Sequence, residues 1–308
     1  MRLNDPASSF LGATVLIVAS AVACAKEYTV DRSIVYARPN GKTCRMTLHL
    51  PAGDTGARRP GVLLIHGGAW LFGTRHQLGW YGRHFARQGY VAASINYRMM
   101  PKYPFPSCLH DCKAAVRWMR LHADEYGLDP ERIAVLGNSA GGHLSAMLAT
   151  TAPEDGLEGA DNPGASSRVQ AAIVLYGVAD LSYYRSPKGY VRFAGITPKF
   201  MERFVGTPQG EGHDPYDAAS PATYAGRRTC PTLFVHGTKD NWVPYAQSVA
   251  FCQRLRRLGV PTRLIAVRHG HAFDLFHFNA RGHLFDEILR FLDEHLRAPA
   301  RTADGEAP

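Results

Sequence analysis

Short apolar runs alternate along the chain with longer segments whose apolar residues recur every three or four positions. The runs predict buried strands at 62–65, 90–96, 133–136, 169–176, 232–235 and 263–267. The segments between them predict helices near 77–88, 107–126, 139–150, 245–258 and 282–297. Apolar strands separated by amphipathic helices are typical of a parallel sheet that is covered on both faces. The pattern therefore predicts a single α/β domain.

Four segments depart from this alternation. Residues 28–37 and 43–50 are more polar and predict an antiparallel hairpin at the edge of the sheet. Residues 152–168 are rich in glycine, proline and aspartate and predict a loop. Residues 181–229 carry aromatic residues without a clear period, and a long excursion of this kind in a compact domain is usually functional. We therefore expect a small lid inserted at about 181–229.

The first 25 residues have the features of an export signal. Arg2 supplies a positive charge, residues 10–25 are apolar, and Ala23-Cys24-Ala25 has the small-x-small pattern of a cleavage site. The apolar run is shorter than the roughly 20 residues that span a membrane. We therefore expect a signal peptide at 1–25.

Removal of this peptide would leave a mature domain at 26–297 and a tail at 298–308, whose content of Ala, Pro and Arg predicts disorder. The protein is then expected to be secreted or periplasmic, without a stable membrane partner. The alternative is lipidation of Cys24 after cleavage behind Ala23, which would make the protein an anchored lipoprotein.

Composition and charge narrow the function classes. An apolar content of 45% with 20% charged residues is ordinary for a globular protein. The 35 basic residues outnumber the 26 acidic ones, but they are scattered rather than gathered in a stripe with aromatic residues, which argues against a nucleic-acid partner. The five cysteines beyond the signal peptide are too few for a disulfide scaffold, although one disulfide remains open. Cys108 and Cys112 share a helix face without further ligands nearby, so no metal site is predicted.

A motif with the chemistry of a nucleophile lies at 137–141, with the sequence Gly-Asn-Ser-Ala-Gly, between a predicted strand and a predicted helix. The small flanking residues allow a turn that is tight enough to lift the serine hydroxyl above the sheet edge. The N-terminus of the helix beneath offers amide groups and a positive dipole to a developing oxyanion. This context predicts Ser139 as a nucleophile.

A serine hydroxyl is a weak nucleophile and needs a base that is itself held in place. Asp240 follows the strand at 232–235, so it lies at the same sheet edge as Ser139. His271 follows the next strand, with a glycine before it and a small residue and an aromatic after it, which suits a loop that projects the ring. We predict Asp240 as the acid and His271 as the base, with His269 as the rival for the second role.

The segment His-Gly-Gly-Ala-Trp at 66–70 follows the first buried strand directly. Consecutive small residues let backbone amides point into a site, as an oxyanion hole requires. We predict that the amides of Gly68 and Ala69 form this hole together with the amide of Ala140.

Other residues near these motifs have binding or structural interpretations. Trp70 is predicted to line an acyl pocket rather than to fill the core, and Trp242 to add a second flat face. His66 is predicted to hold its loop by hydrogen bonds. Arg98 and Asp111 are predicted to form a buried ion pair.

The arrangement as a whole resembles the esterases related to hormone-sensitive lipase, and within them the bacterial exported acetyl-xylan and feruloyl esterase-like enzymes. The resemblance runs from about Tyr28 to Leu296 and is carried by the HGGAW loop, Ile95-Asn96-Tyr97-Arg98, Phe105-Pro106 leading to Asp111, GNSAGGHL, HGTKDNWVP and GHAF. It implies an α/β-hydrolase fold with a mostly parallel sheet, helices on both faces and a small lid. It also implies a Ser-His-Asp triad without a metal or cofactor. Ala69 departs from the HGGG form of the oxyanion loop, which makes close kinship to lipases proper less expected.

The resemblance implies hydrolysis of a short acyl ester, acetyl or feruloyl in type, on a small molecule or a polysaccharide. Two alternatives remain open. The HGGxW form also occurs in kynurenine formamidases, which hydrolyse an amide, although an export signal argues against that cytosolic substrate. Some relatives are non-catalytic binding proteins, but these typically lose a triad residue, and all three are present here.

Overall fold

The computed structural model describes residues 28–53, 56–184, 198–206, 214–276 and 278–297. The predicted signal peptide with Cys24, the predicted tail at 298–308, and Tyr190 and Phe193 of the expected lid lie outside these residues. The predictions made for them stay predictions. Across the described ranges, no helix is both long enough and apolar enough to cross a membrane.

One sheet of eight strands forms the centre of the described chain. The strands are β1 (Tyr28–Ala37), β2 (Cys44–Pro51), β3 (Arg59–Ile65), β4 (Val91–Ile95), β5 (Leu128–Asn138), β6 (Ala171–Leu175), β7 (Thr232–Gly237) and β8 (Thr262–Val267). Their order in the sheet is β1-β2-β4-β3-β5-β6-β7-β8. β1 pairs antiparallel with β2, and β2 with β4, whereas all other neighbours are parallel. The predicted parallel sheet and its antiparallel edge hairpin are both confirmed.

Helices cover both faces of this sheet. They are α1 (Gly79–Arg87), α2 (Ser107–Leu121), α3 (Ala140–Thr150), α4 (Pro198–Val205), α5 (Pro215–Ala218), α6 (Tyr245–Arg257), α7 (Phe273–Phe276) and α8 (Phe278–Leu296). α1 and α8 pack in the core on one face, and α2, α3 and α6 pack on the other. α4 and α5 lie within the segment at 181–229 that is expected to form a lid.

The alternation of side chains along β3 shows how one strand serves both cores. Val62 and Leu64 pack in the core that contains α8, while Leu63 and Ile65 pack in the core that contains α2. Successive side chains of a strand point to opposite faces, so a strand that is covered on both sides must be apolar at every position. This is why β3 appears in the sequence as an uninterrupted apolar run.

Two predicted helix boundaries differ from the structure. The helix expected near 282–297 begins at Phe278. The helix expected at 107–126 ends at Leu121, because the chain turns back before Gly127. The amide of Leu128 donates to the carbonyl of Ala123 at 2.8 Å, and Gly127 adopts a left-handed φ of 61° that directs the chain into β5.

The parallel strands deliver the candidate residues to one edge of the sheet. The loop at 66–70 follows β3, Ser139 follows β5, Asp240 follows β7, and His271 follows β8. Because carboxyl ends of parallel strands meet at one sheet edge, these four loops surround a common space.

Candidate active site

Ser139 lies in a strained turn between β5 and α3. Its φ of 54° and ψ of −116° are far from the values that a non-glycine residue ordinarily adopts. The turn is sterically closed around it: a Cβ on Gly137 would approach the carbonyl oxygen of Gly141 to 2.2 Å, and one on Gly141 would approach the carbonyl oxygen of Ile65 to 2.0 Å. Only glycine fits at these two positions, which explains the spacing of the motif.

The structure brings the three predicted triad residues together. The Oγ of Ser139 lies 2.9 Å from Nε2 of His271, and Nδ1 of His271 lies 2.7 Å from Oδ2 of Asp240. Because the carboxylate accepts the proton on Nδ1, Nε2 is left with a lone pair that faces the serine hydroxyl. His269, the rival for the base, instead stacks on Phe273 with ring centroids 6.4 Å apart.

The side chain of Asp240 is fully buried and accepts hydrogen bonds at both oxygens. Oδ1 accepts from the amides of Trp242 and Val243 at 2.8 and 2.9 Å, while Oδ2 faces His271 and also Nε2 of His236 at 3.3 Å. Burial raises the pKa of Asp240, but the hydrogen bonds from His236 and His271 outweigh it and hold that pKa well below its usual range. The carboxylate therefore stays ionised beside His271.

The sequence reasoning missed His236. This histidine ends β7, is completely buried, and has Nε2 2.9 Å from the carbonyl oxygen of Val243 and Nδ1 2.7 Å from Oγ of Ser248. Its position four residues before Asp240 was a usable signal, because a turn that follows a strand can return a side chain to the strand end.

The loop after β3 has an unusual backbone. Gly68, Ala69 and Trp70 have φ values of 116°, 51° and 55°, and the amides of Leu71 and Phe72 both donate to the carbonyl of Gly68 at 3.0 Å. Successive residues of this kind form a concave array of N–H groups.

The predicted oxyanion amides lie along one cavity with Ser139. Gly68, Ala69 and Ala140 all line it. Within the described part of the chain, no protein acceptor receives a hydrogen bond from these three amides. They are therefore available to a substrate oxygen, as an oxyanion hole requires.

The cavity has a volume of about 420 Å³. Its inner wall consists of side chains that are almost completely buried: Trp70, Val178, Tyr184, Met201 and Val243. Its mouth carries side chains that reach solvent or the triad: Phe72, Gln77, Trp242 and Leu275. The site thus has a closed apolar inner part and an open outer part.

Both predicted aromatic binding residues line this cavity. Trp70 is 3% exposed, stacks on Phe204 of α4 with ring centroids 4.0 Å apart, and donates from Nε1 to Nδ1 of His143 at 3.2 Å. Trp70 therefore forms part of the pocket wall and of the core at once. Trp242 stacks on the ring of His271, with centroids 5.1 Å apart and planes 8° apart.

The residues with predicted structural interpretations are also accounted for. Nδ1 of His66 donates to the carbonyl of Gly67 at 2.7 Å, which holds the loop as expected. Burial lowers the pKa of His143 to about 4, so its imidazole is neutral between Trp70 and the carbonyl of Ala219. Arg98 and Asp111 form the predicted buried ion pair at 2.8 Å.

The described residues include five cysteines and many side chains of the types that bind metals. Among them, no group of three or more His, Cys, Asp or Glu residues could hold a metal ion. The five cysteines there are buried and unpaired, so the disulfide left open by the sequence is not formed. Burial raises the pKa of the Cys44, Cys108 and Cys230 thiols to about 12, which keeps them protonated.

Comparisons with known proteins place this geometry in context. The BD-FAE family profile matches residues 46–255. Esterase LipC of Mycobacterium tuberculosis is 33% identical over 248 residues, which cover 79% of this chain and 60% of LipC. The chain spans about 60% of the length of the curated mycobacterial relatives that it matches.

Solved structures show the same fold. A thermophilic esterase from Thermogutta terrifontis, Est2 with butyrate bound, superimposes with a TM-score of 0.71 at 26% identity and covers 89% of this chain and 97% of its own. A truncated carbohydrate esterase from gut microbiota gives a TM-score of 0.73 at 23% identity, covering 88% of this chain and 98% of its own. The sheet, its helices and these superpositions identify the α/β-hydrolase fold.

Proposed function

Because the chain belongs to the BD-FAE family of α/β-hydrolases, we propose that it is a serine carboxylesterase that hydrolyses short acyl esters through an acyl-enzyme. The observation that carries this proposal is the line of hydrogen bonds from Ser139 through His271 to Asp240, placed in an apolar cavity that the backbone of Gly68, Ala69 and Ala140 also lines. A nucleophile, a held base and an oxyanion site within one cavity are the parts that acyl transfer needs.

In the proposed mechanism each residue has one role. Nε2 of His271 accepts the proton of Ser139 as Oγ attacks the carbonyl carbon, and Asp240 stabilises the imidazolium that forms. The amides of Gly68, Ala69 and Ala140 hold the oxyanion. His271 then gives its proton to the departing alcohol. A water molecule repeats the sequence on the acyl-enzyme and releases the acid.

The cavity supports a preference for a short acyl group. Its inner wall is closed by Trp70, Tyr184 and Met201, which are at most 6% exposed, so an acyl chain that enters meets packed side chains. The outer part is open and carries Phe72, whose side chain is 57% exposed. We propose acetyl or feruloyl-type esters as substrates, with the alcohol, including a polysaccharide-linked one, on the open side. Est2, which superimposes on this chain, has been solved with butyrate bound.

The test begins with 4-nitrophenyl esters from acetyl to decanoyl. We expect acetyl and butyryl esters to be hydrolysed far faster than decanoyl, and a serine-directed phosphonate to label Ser139. Ser139→Ala should abolish turnover and labelling, whereas Ser145→Ala on the following helix, α3, should retain both. Turnover of N-formylkynurenine in preference to esters would replace the proposal by an amide hydrolase, and absence of any turnover would favour a binding protein.

The inner wall of the cavity has its own test. Met201→Ala should open the inner end of the cavity and increase the ratio of octanoyl to acetyl turnover. Met147→Ala is the matched control, because Met147 is equally buried but lies on α3 away from the cavity. Its ratio should equal that of the wild type. A ratio unchanged in Met201→Ala would show that this wall does not limit the acyl chain.

We also propose that the protein is exported, on the basis of the apolar segment and the small-x-small pattern before Lys26. Sequencing of the mature protein should begin at Lys26. A mature chain that begins at Cys24 and carries lipid would replace secretion by membrane anchoring.

A further inference from the structure

A line of buried hydrogen bonds joins the oxyanion loop to the histidine loop behind the triad. Oδ1 of Asn138 accepts from the amide of Gly67 at 2.7 Å, and Nδ2 of Asn138 donates to the hydroxyl of Tyr176 at 3.1 Å. That hydroxyl in turn donates to Oδ1 of Asp274. We call these four residues the Asn138 network.

The direction of every proton in the network follows from its chemistry. The amide of Gly67 can only donate, so the oxygen of Asn138 must face it and the NH₂ group must face Tyr176. The hydroxyl of Tyr176 therefore accepts from Asn138 and has its single proton left for Asp274. An asparagine is the residue that satisfies both neighbours, because it offers an acceptor and a donor from one planar group.

The network touches the three loops that carry the proposed chemistry. Asn138 precedes Ser139, Gly67 precedes the amides of Gly68 and Ala69, and Asp274 lies three residues after His271. The ring of Tyr176 also packs edge-on against the ring of His271, with centroids 4.7 Å apart.

There is little free space around the central residue. Asn138 is 2% exposed. A Cβ on Gly67 would lie 2.8 Å from the carbonyl oxygen of Asn138 and 3.2 Å from Cβ of Ser139, so the oxyanion loop approaches the nucleophile turn as closely as backbone atoms allow. The hydrogen bond from Gly67 to Asn138 therefore fixes where the next two amides point.

We propose that Asn138 is a positioning residue that fixes the oxyanion loop relative to Ser139 and His271 through Tyr176 and Asp274. This inference rests on the proposed esterase function. The side chain of Asn138 bonds to no reacting atom and acts through the amide of Gly67. Errors of about 1 Å in such placement can cost roughly 100-fold in rate.

Asn138→Asp provides the sharpest test. It keeps the shape of the side chain and replaces only the NH₂ group, by a carboxyl oxygen that can lose its proton. One oxygen of the introduced carboxyl still accepts from Gly67. The other mimics the NH₂ group only while it is protonated, because the proton of Tyr176 is already given to Asp274. Once ionised, this oxygen faces a hydroxyl oxygen without a proton between them. Burial raises the pKa of a carboxyl in such a place above its usual value of about 3.9.

Other titratable groups lie around this position. They are His66 on the oxyanion loop, His143 on α3, Tyr176 after β6, His271 and Asp274 on the histidine loop, and Tyr81 of α1, which reaches Asp274 at 3.5 Å. Because all of these are also present in the wild type, the ratio of variant to wild-type kcat removes those parts of the pH profile that the substitution leaves unchanged.

We expect the kcat of Asn138→Asp to be about 100-fold below that of the wild type at pH 8. This gap should narrow at least about 10-fold towards pH 5, with KM little changed.

Tyr176→Phe removes the acceptor of Asn138 and should lower kcat about 10-fold at every pH. Asn96→Asp is the matched control: Oδ1 of Asn96 also accepts a backbone amide, that of Arg75 at 2.7 Å, but within the described ranges its side chain bonds to no tyrosine or aspartate side chain. The hydroxyl of Tyr36 reaches only the backbone carbonyl of Asn96, which the substitution leaves in place. Its ratio to wild type should be flat with pH.

Thermal unfolding gives a readout that does not depend on turnover. A carboxyl whose pKa is raised in the folded state destabilises that state as pH rises above the unfolded value. The Tm deficit of Asn138→Asp should therefore widen from pH 5 to pH 8. A Tm deficit that is independent of pH would overturn the network. A widening deficit with a flat kcat ratio would overturn its positioning role while the esterase proposal stands, and a wild-type chain that hydrolyses no ester would overturn the proposed function itself.

Discussion

Two buried carboxylates, Asp240 and Asp111, have similar surroundings and different chemistry. Asp240 accepts from two histidines and two backbone amides. Asp111 accepts from Nε and Nη2 of Arg98 at 2.9 and 2.8 Å and from the amide of Arg98 at 2.7 Å. Each carboxylate thus has the hydrogen-bond donors that a buried charge needs.

The partner decides what each carboxylate can do. An imidazole changes its protonation state near neutral pH, whereas a guanidinium does not. Burial alone would lower the pKa of Arg98, but Asp111 raises it above its ordinary value, so the guanidinium stays charged. Burial raises the pKa of Asp111 against the opposing hydrogen bonds from Arg98. Only the pair at Asp240 can take up a proton from Ser139. The comparison shows that burial alone does not indicate what a carboxylate does. The type of its partner, imidazole or guanidinium, does.

The largest expected effect tests the partner of Asp240 directly. His271→Ala should lower kcat by roughly a million-fold, because Ser139 loses its base. His269→Ala is the control and should lie within about threefold of wild type, since its ring stacks on Phe273 away from Ser139. Steady-state turnover of 4-nitrophenyl acetate measures both. If the two effects were exchanged, His271 could not be the base.

The next effect compares the carboxylates themselves. Asp240→Asn should lower kcat by about 10,000-fold, because the amide no longer fixes the tautomer of His271 or stabilises its cation. Urea unfolding should show a smaller loss of stability than Asp111→Asn, since an amide of the same shape replaces the carboxylate and no buried arginine loses its counter-charge. Asp240→Asn with near-normal turnover would remove this residue from the triad.

Asp111→Asn should show the opposite result. It leaves the guanidinium of Arg98 buried without a counter-charge, which costs about 3 to 5 kcal/mol of stability. Folded enzyme should keep its kcat within about threefold, because Arg98 and Asp111 do not line the cavity. Urea unfolding and kcat per folded molecule give the two values. A large loss of kcat without loss of stability would place this pair in the catalytic machinery.

Much of this architecture was predictable because it depends on local patterns. Uninterrupted apolar runs predict the strands, and small residues around Ser139 predict the turn that lifts it. The carboxyl ends of parallel strands then place Asp240 and His271 at the same edge without further information. Arg98 and Asp111 were predicted as an ion pair and form one.

What escaped prediction depends on side chains that meet across distant elements. Asn138 ends β5, Tyr176 follows β6 and Asp274 lies in α7, and no spacing in the sequence links the three. His236 gave a weak signal because a histidine at the end of a strand is often only structural. The end of α2 at Leu121 was missed because the turn is fixed by Gly127, several residues further on.

Two buried histidines that have no carboxylate partner can be compared with His271. His66 and His143 are buried, and burial lowers the pKa of each to about 4 from an ordinary value of 6.5. The unfolded chain therefore binds more protons than the folded one between these two pH values. Stability must rise with pH across this window and be lost as pH falls through it.

The last and smallest expected effect follows from this loss of stability at low pH. The Tm of the wild type should fall steadily as pH is lowered from 6.5 to 4. His143→Gln keeps a donor for the carbonyl of Ala219 but cannot be protonated, so its Tm should fall less steeply over the same range. The difference in unfolding free energy should reach at most about 3 kcal/mol at pH 4.

His76→Gln is the control for this slope, because His76 is exposed on the folded protein and its replacement should leave the slope unchanged. Differential scanning calorimetry at half-unit pH steps separates the slope from any constant loss of stability that either variant causes. An equal slope in wild type and His143→Gln would mean that His143 can take up a proton inside the fold. The comparison between His271 and His143 would then fail. A buried imidazole would become charged without a carboxylate partner such as Asp240.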